Sequence, residues 1–71
     1  MNNNYITIQI NGEPFNCSYG MSLQDLIYYF NINSKLILIE YNTNVIYENQ
    51  FNNVFLKPND TLEIITIVGG G

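Results

Sequence analysis

The residues with the clearest chemical potential are the last three, Gly69-Gly70-Gly71, and the α-carboxylate that follows them. Glycine loses more conformational entropy on ordering than any other residue, and fixing a backbone residue costs roughly 1–2 kcal/mol, so three glycines suit a docking tail poorly. They make sense where space overrides entropy. A chain without Cβ atoms threads a narrow channel and can bring its terminal carboxylate against a reacting phosphate. A carboxylate is inert as an acyl group until it is activated, and ATP can convert it to an acyl-adenylate open to a sulfur or nitrogen nucleophile. On this reading Gly71 supplies the reacting carboxylate, while Gly70 and Gly69 give access. The competing reading is a frayed end, since termini are commonly disordered. The fold that precedes the tail decides between the two.

Little else in the chain can do chemistry. There is no histidine, and one cysteine with scattered carboxylates makes no zinc constellation, so no metal site is expected. No Ser–His or Cys–His pair is possible, and neither lysine sits in a nucleotide loop. The expectation is a protein that is not an enzyme acting alone and that binds no cofactor of its own. Cys17 shares an alternating face with Phe15, which suits a packing residue better than a redox thiol, and a single cysteine allows no internal disulfide.

Two lysines stand against six carboxylates, a net charge of −4, which argues against nucleic acid because phosphate contacts need clustered cations. The longest apolar run, Leu36 to Ile39, is far short of a membrane span. Met1-Asn2-Asn3-Asn4 has neither the cationic nor the apolar region of a secretory signal and lacks the Arg- and Ser-rich composition of a transit peptide, so neither is expected here. Alanine, arginine, histidine and tryptophan are absent while asparagine and isoleucine abound. Residues with A/T-rich codons therefore dominate, which points to an A/T-biased genome. The expected setting is a bacterial cytoplasm or, for a plastid-encoded chain, the stroma.

The elements that must position the tail follow from periodicity. Tyr5 to Ile10 alternates, with Ile6, Ile8 and Ile10 on one face, and reads as a half-buried strand. Asn11-Gly12 is a type I′ hairpin signal, and a second strand runs from about Pro14 to Ser18 with Phe15 and Cys17 on one face. Ser22 reads as a helix N-cap with Asp25 completing a capping-box arrangement, and Leu23, Leu26, Ile27 and Phe30 form the buried stripe. Leu36 to Tyr41, apolar on both faces, reads as a central strand. Val45-Ile46 and Val54-Phe55 read as short edge strands around a turn holding Phe51. Lys57-Pro58-Asn59-Asp60 is a β-turn, with Asp60 capping it. The last strand, Thr61 to Ile67, puts Leu62 and Ile64 on one face and Glu63, Ile65 and Ile67 on the other.

Hairpin, helix, strand, short strands and final strand make an α+β chain of 71 residues, one domain over 1–71 with 68–71 as a flexible C-terminal tail. The order is that of the ubiquitin-like β-grasp, a mixed four- to five-stranded sheet with one helix packed across it. For a glycine tail leaving the last strand of such a domain, the reacting-carboxylate reading outweighs the frayed end.

The chain resembles the ThiS family, the sulfur carriers of thiamin biosynthesis, from Ile6 to Gly71. The resemblance rests on the hairpin Ile10-Asn11-Gly12-Glu13-Pro14, on Ser22-Leu23-Gln24-Asp25-Leu26-Ile27, and on the strand Leu36-Ile37-Leu38-Ile39-Glu40-Tyr41-Asn42. It continues through Val45-Ile46-Tyr47-Glu48-Asn49-Gln50-Phe51 and through Asn59-Asp60-Thr61-Leu62-Glu63-Ile64 to Val68-Gly69-Gly70-Gly71. Asn59 departs from a usual glycine, which asparagine can replace because it too tolerates αL, and Phe51 stands where a Trp or Tyr is frequent. Neither touches the reacting end.

The resemblance implies that an E1-like adenylyltransferase activates the Gly71 carboxylate with ATP. A cysteine-desulfurase relay would convert it to a thiocarboxylate, and a thiazole synthase would take that sulfur into the thiazole ring. The ATP is consumed by the partner. The alternatives are another β-grasp carrier (a molybdopterin synthase small subunit or a ubiquitin-related modifier) and a β-grasp binding module that never reacts at its terminus.

Ile65 and Ile67 are expected to join Val68 in an exposed apolar docking patch beside Gly69 and Gly70, unless a loop covers them. Asp60, Glu63, Glu48 and Glu40 either complement a basic partner surface or are ordinary solvated charges.

Overall fold

The computed structural model describes residues 4–67. Val68, Gly69, Gly70 and Gly71 lie outside the described residues. Five strands, β1 (Tyr5–Ile10), β2 (Glu13–Ser18), β3 (Ile37–Tyr41), β4 (Asn44–Ile46) and β5 (Thr61–Thr66), form one mixed sheet in the order β2-β1-β5-β3-β4. The single α-helix among the described residues, α1 (Leu23–Tyr29), lies across one face of it. This is the ubiquitin-like β-grasp architecture expected from the sequence.

The local signals act as their chemistry demands. Asn11 and Gly12 both take positive φ, 50° and 83°, and close the β1–β2 hairpin with Ile10 opposite Glu13. At the start of α1 the Ser22 hydroxyl accepts from the Asp25 amide at 3.0 Å. The Asp25 carboxylate in turn accepts from the Ser22 amide at 3.1 Å, so the capping box is complete with aspartate in place of glutamate. Leu23, Leu26 and Ile27 then enter the core against Ile8 and Ile39, all five essentially without solvent contact. Phe51 and Leu56 close the same core from the long β4–β5 connection.

Several expectations change in the folded chain. Phe30 is the C-cap of α1 and remains 38% exposed. Its ring packs on Phe15 and Tyr29, with centroids 5.1 and 5.2 Å away, so the helix stripe ends one turn earlier than its spacing suggests. Leu36 does not begin a strand. The Asn33 side chain accepts from the Lys35 amide at 3.0 Å and starts a 3-10 turn over Ser34–Leu36, which leaves Leu36 half exposed. Val54-Phe55 is no strand either. It makes one bridge, Ser22 to Phe55, while the Val54 carbonyl accepts from Leu23 and the Leu56 amide donates to Met21. Phe51 sits in a 3-10 helix over Glu48–Asn53. The central strand of the sheet is β5, with β3 beside it.

Candidate functional site: the end of the central strand and the sheet face beside it

The final strand is launched by the turn Lys57-Pro58-Asn59-Asp60. Proline presets the second position, Asn59 takes a φ of 72°, and the Asp60 amide donates to the Lys57 carbonyl at 3.1 Å, the pattern of a type II turn. The Asp60 carboxylate is buried. It accepts from the Lys57 amide at 2.8 Å, the Tyr41 hydroxyl at 2.5 Å and the Asn42 amide group at 3.1 Å. Burial raises the Tyr41 phenol to about 12, and its hydrogen bond and closeness to the Asp60 carboxylate push the same way. Asn42 answers by accepting from the Thr61 amide at 2.8 Å. One buried carboxylate thus ties the turn, the end of β3 and the first residue of β5 together.

From there β5 is held on both sides. Against β1 it runs parallel, with Gln9 donating to the Asp60 carbonyl and the Asn11 amide donating to the Leu62 carbonyl. The Asn11 side chain continues this ladder, accepting from the Ile64 amide at 2.7 Å and donating to the Ile64 carbonyl at 3.2 Å. Against β3 it runs antiparallel, from Leu62 opposite Tyr41 to Thr66 opposite Ile37. The Ile67 amide then donates to the Leu36 carbonyl at 2.7 Å. The described part of the chain therefore ends at Ile67, beside Leu36 at the end of the central strand, and residues 68–71 follow in the sequence.

Because side chains alternate along a strand, Leu62 and Ile64 turn to the helix side and Glu63 and Ile65 to the opposite, open side. Ile65 and Ile67 are 42% and 48% exposed, so no loop closes over them. Ile65 lies opposite Leu38, and Val45 lies opposite Glu40; these residues and Leu36 extend the apolar surface beyond the residues singled out by sequence. Glu40 lies directly opposite Glu63 on this same face. Neither the wider patch nor the carboxylate pair is visible without the β3–β5 register; the alternation of Leu38 with Ile37 and Ile39 was the available hint.

Glu48 and Cys17 are used internally. Glu48 accepts from the Ser34 hydroxyl at 2.6 Å and pairs with Lys35 at 3.4 Å. The Ser34 bond, and then Lys35, hold its carboxyl below the usual range. Cys17 is buried on the helix side of β2, and burial, with the Asp60 charge adding to it, pushes its thiol up. Tyr28 and Tyr29 are exposed at the rim of α1. Among the described residues no three His, Cys, Asp or Glu side chains are grouped to hold a metal, and no helix is long and apolar enough to cross a membrane.

The model of the ThiS family matches residues 8–71, all of β5 and the glycines included. The chain belongs to the ThiS family. It is similar over its whole length to an uncharacterized protein, ycf40, of Porphyra purpurea, with 52% identity over 71 residues and all of both chains covered. It is 29% identical over 65 residues to the sulfur carrier protein ThiS of Bacillus subtilis, covering 90% of this chain and 98% of that one. It is 30% identical over 64 residues to a thiazole synthase of Magnetococcus marinus, covering 90% of this chain but 20% of the longer one. The crystal structure of the thiamine biosynthesis protein ThiS from Geobacter metallireducens has the same fold. The TM-score is 0.81 at 20% identity, over 93% of this chain and 100% of that one. Membership of this family supports a sulfur-carrier role.

Proposed function

We propose that the protein carries sulfur as a thiocarboxylate on Gly71 and delivers it for thiazole formation. An E1-like adenylyltransferase joins the Gly71 carboxylate to the α-phosphate of ATP, releasing pyrophosphate. The terminal sulfur of a persulfide on a cysteine-desulfurase relay then attacks the acyl carbon and AMP leaves; a second thiol reduces the resulting acyl disulfide, forming a disulfide on the relay and freeing the thiocarboxylate, so that one carboxylate oxygen has become sulfur. A thiazole synthase takes that sulfur, and the carrier returns to its carboxylate form. The protein is a co-substrate throughout, and the ATP is bound and consumed by the partner.

The observation that carries the reading is the exit of β5. A strand bonded on both edges fixes the root of Val68-Gly69-Gly70-Gly71 at Ile67, with Ile65 and Ile67 exposed beside it. That arrangement provides a rigid handle for a partner and a slender reach for the reacting group. A thiocarboxylate is also more nucleophilic than a carboxylate and stays attached to protein, so sulfide does not leak. Similarity to one-fifth of a thiazole synthase supports that enzyme as the acceptor. The relative in Porphyra purpurea, an alga, favours the plastid stroma over a bacterial cytoplasm as the setting.

The test is intact-protein mass spectrometry after incubation with a competent adenylyltransferase, ATP, a desulfurase and cysteine. A mass change of one oxygen replaced by one sulfur, absent when Gly71 is deleted, is the expected result. Neither adenylate nor thiocarboxylate forming would overturn the carrier reading and leave a binding module in its place.

A further inference from the structure

We infer that Asn11 is a site of spontaneous deamidation gated by the fold, closed while its side chain is bonded to Ile64 and open when the β1–β2 hairpin loosens. Asparagine is among the heat-labile residues, and its deamidation needs the backbone nitrogen of the next residue to reach the side-chain carbonyl carbon. Asn11 is the only one of thirteen asparagines that a glycine follows. Glycine sets no Cβ beside that nitrogen, and a Cβ added at Gly12 would meet nothing within 4 Å, so no neighbouring group shields the turn. Both residues are exposed.

The step is an internal acyl transfer. The Gly12 nitrogen attacks the Asn11 side-chain carbonyl carbon, the new C–N bond closes a cyclic imide, and the side-chain nitrogen leaves as ammonia with the Gly12 proton. Water then opens either C–N bond of the imide, leaving aspartate at position 11 or an isoaspartate linkage that lengthens the backbone by one carbon. What holds the reaction back is β5. The Asn11 side-chain oxygen accepts from the Ile64 N–H at 2.7 Å, and the side-chain nitrogen donates to the Ile64 carbonyl at 3.2 Å. Those bonds hold the side chain toward β5, while the hairpin sets φ at 50° for Asn11 and 83° for Gly12. Attack requires both to be given up, because the side-chain carbon must swing over the following peptide. The rate in the fold is therefore the rate in the open chain multiplied by the fraction of time this contact is open. The product cannot close the same contact. A carboxylate at position 11 accepts from the Ile64 N–H but has no proton for the Ile64 carbonyl and sets negative charge against it. Each opening that leads to reaction is thereby recorded as a lasting weakening of β5.

The experiment incubates the full chain at mildly alkaline pH, folded in buffer and unfolded in guanidinium chloride. Position 11 is followed by peptide mass and by enzymatic methylation of isoaspartate. Conversion should be at least about tenfold slower in the fold than in denaturant, the ratio reporting how rarely the contact opens. Ile64→Ala leaves the Asn11-Gly12 peptide intact; it should convert faster than the natural chain in buffer and at the same rate in denaturant. Asn11→Asp, the hydrolysis product made directly, should unfold at a lower denaturant concentration than the natural chain. Equal rates with and without denaturant would overturn the gating, and no conversion at Asn11 in the unfolded chain would overturn the site itself. An unfolding midpoint unchanged in Asn11→Asp would overturn the weakening of β5. Sulfur loading enters none of these readouts, so the carrier reading stands or falls separately.

Discussion

The side-chain amide of Asn11 bonds both the N–H and the C=O of Ile64, at 2.7 and 3.2 Å, across 53 residues of sequence. A turn residue thereby does the work of one more residue of β1, just where the hairpin has ended and β5 still needs a partner on that side. The described residues end three positions beyond Ile64, so the last stretch of β5 depends on a side chain chosen for a hairpin.

Replacing Asn11 by glycine keeps a residue that tolerates the φ of 50° but removes both bonds. At about 0.5–1.5 kcal/mol per hydrogen bond, the loss should be about 1–2 kcal/mol in urea unfolding. Hydrogen exchange at the Ile64 amide should speed by more than at Ile39. Equal protection at Ile64 in both proteins would show that the side-chain ladder contributes nothing.

Stability should fall as pH rises from about 10 to 12, and Tyr41 is the cause. Its phenol is raised to about 12 in the fold and lies near 10 in an unfolded chain. The folded state therefore holds the proton more tightly. That contribution is fully present below pH 10 and is lost as pH climbs through the folded value. In Tyr41→Phe the same alkaline slope should be shallower, as read from melting temperatures across this range.

Removing the acceptor itself costs more. Asp60→Ala leaves the Tyr41 hydroxyl, the Asn42 amide and the Lys57 N–H without their shared partner, and hydrogen bonds to charged groups contribute about 1.5–3 kcal/mol each. A loss of at least about 2 kcal/mol is expected in denaturant. Asp60→Asn should recover part of it, since its side-chain carbonyl still accepts.

The sulfur should load without help from Cys17. Burial and a raised thiol pKa make it a poor nucleophile, so iodoacetamide should label it slowly until the protein is unfolded. Cys17→Ala should lose some stability through a small cavity yet still show the oxygen-to-sulfur mass change. Loss of sulfur loading in a folded Cys17→Ala protein would make the thiol part of the relay.

Ile65→Ser and Ile67→Ser should separate docking from folding. Both side chains are more than 40% exposed, so melting temperatures should move little. Adenylation, followed by pyrophosphate release, should show a raised KM. An unchanged KM would remove these residues from the docking surface.

Much of the molecule is settled by short-range chemistry. Alternating isoleucines in β1, the Asn11-Gly12 turn, the Ser22–Asp25 box and the Lys57-Pro58-Asn59-Asp60 turn each act within a few residues. Their stereochemistry is the same in a peptide as in the fold, which is why the β-grasp order was legible from residue types alone. Where spacing misled, a tertiary contact outweighed a pattern. Phe30 has the right period for the core, but Phe15 and Tyr29 draw it to the rim. Leu36 continues an apolar run, yet Asn33 turns the backbone before it.

What the tertiary structure decided is pairing. The parallel alignment of β1 with β5 joins residues some 50 positions apart, and no local preference encodes a register over that distance. That alignment puts β5 at the centre of the sheet and binds Asn11 to Ile64, while the antiparallel register of β3 with β5 sets Glu40 opposite Glu63 and brings Tyr41 and Asn42 to the buried Asp60 carboxylate. Hydrogen bonds on both edges of β5 determine its place in the sheet and leave Ile65 and Ile67 exposed.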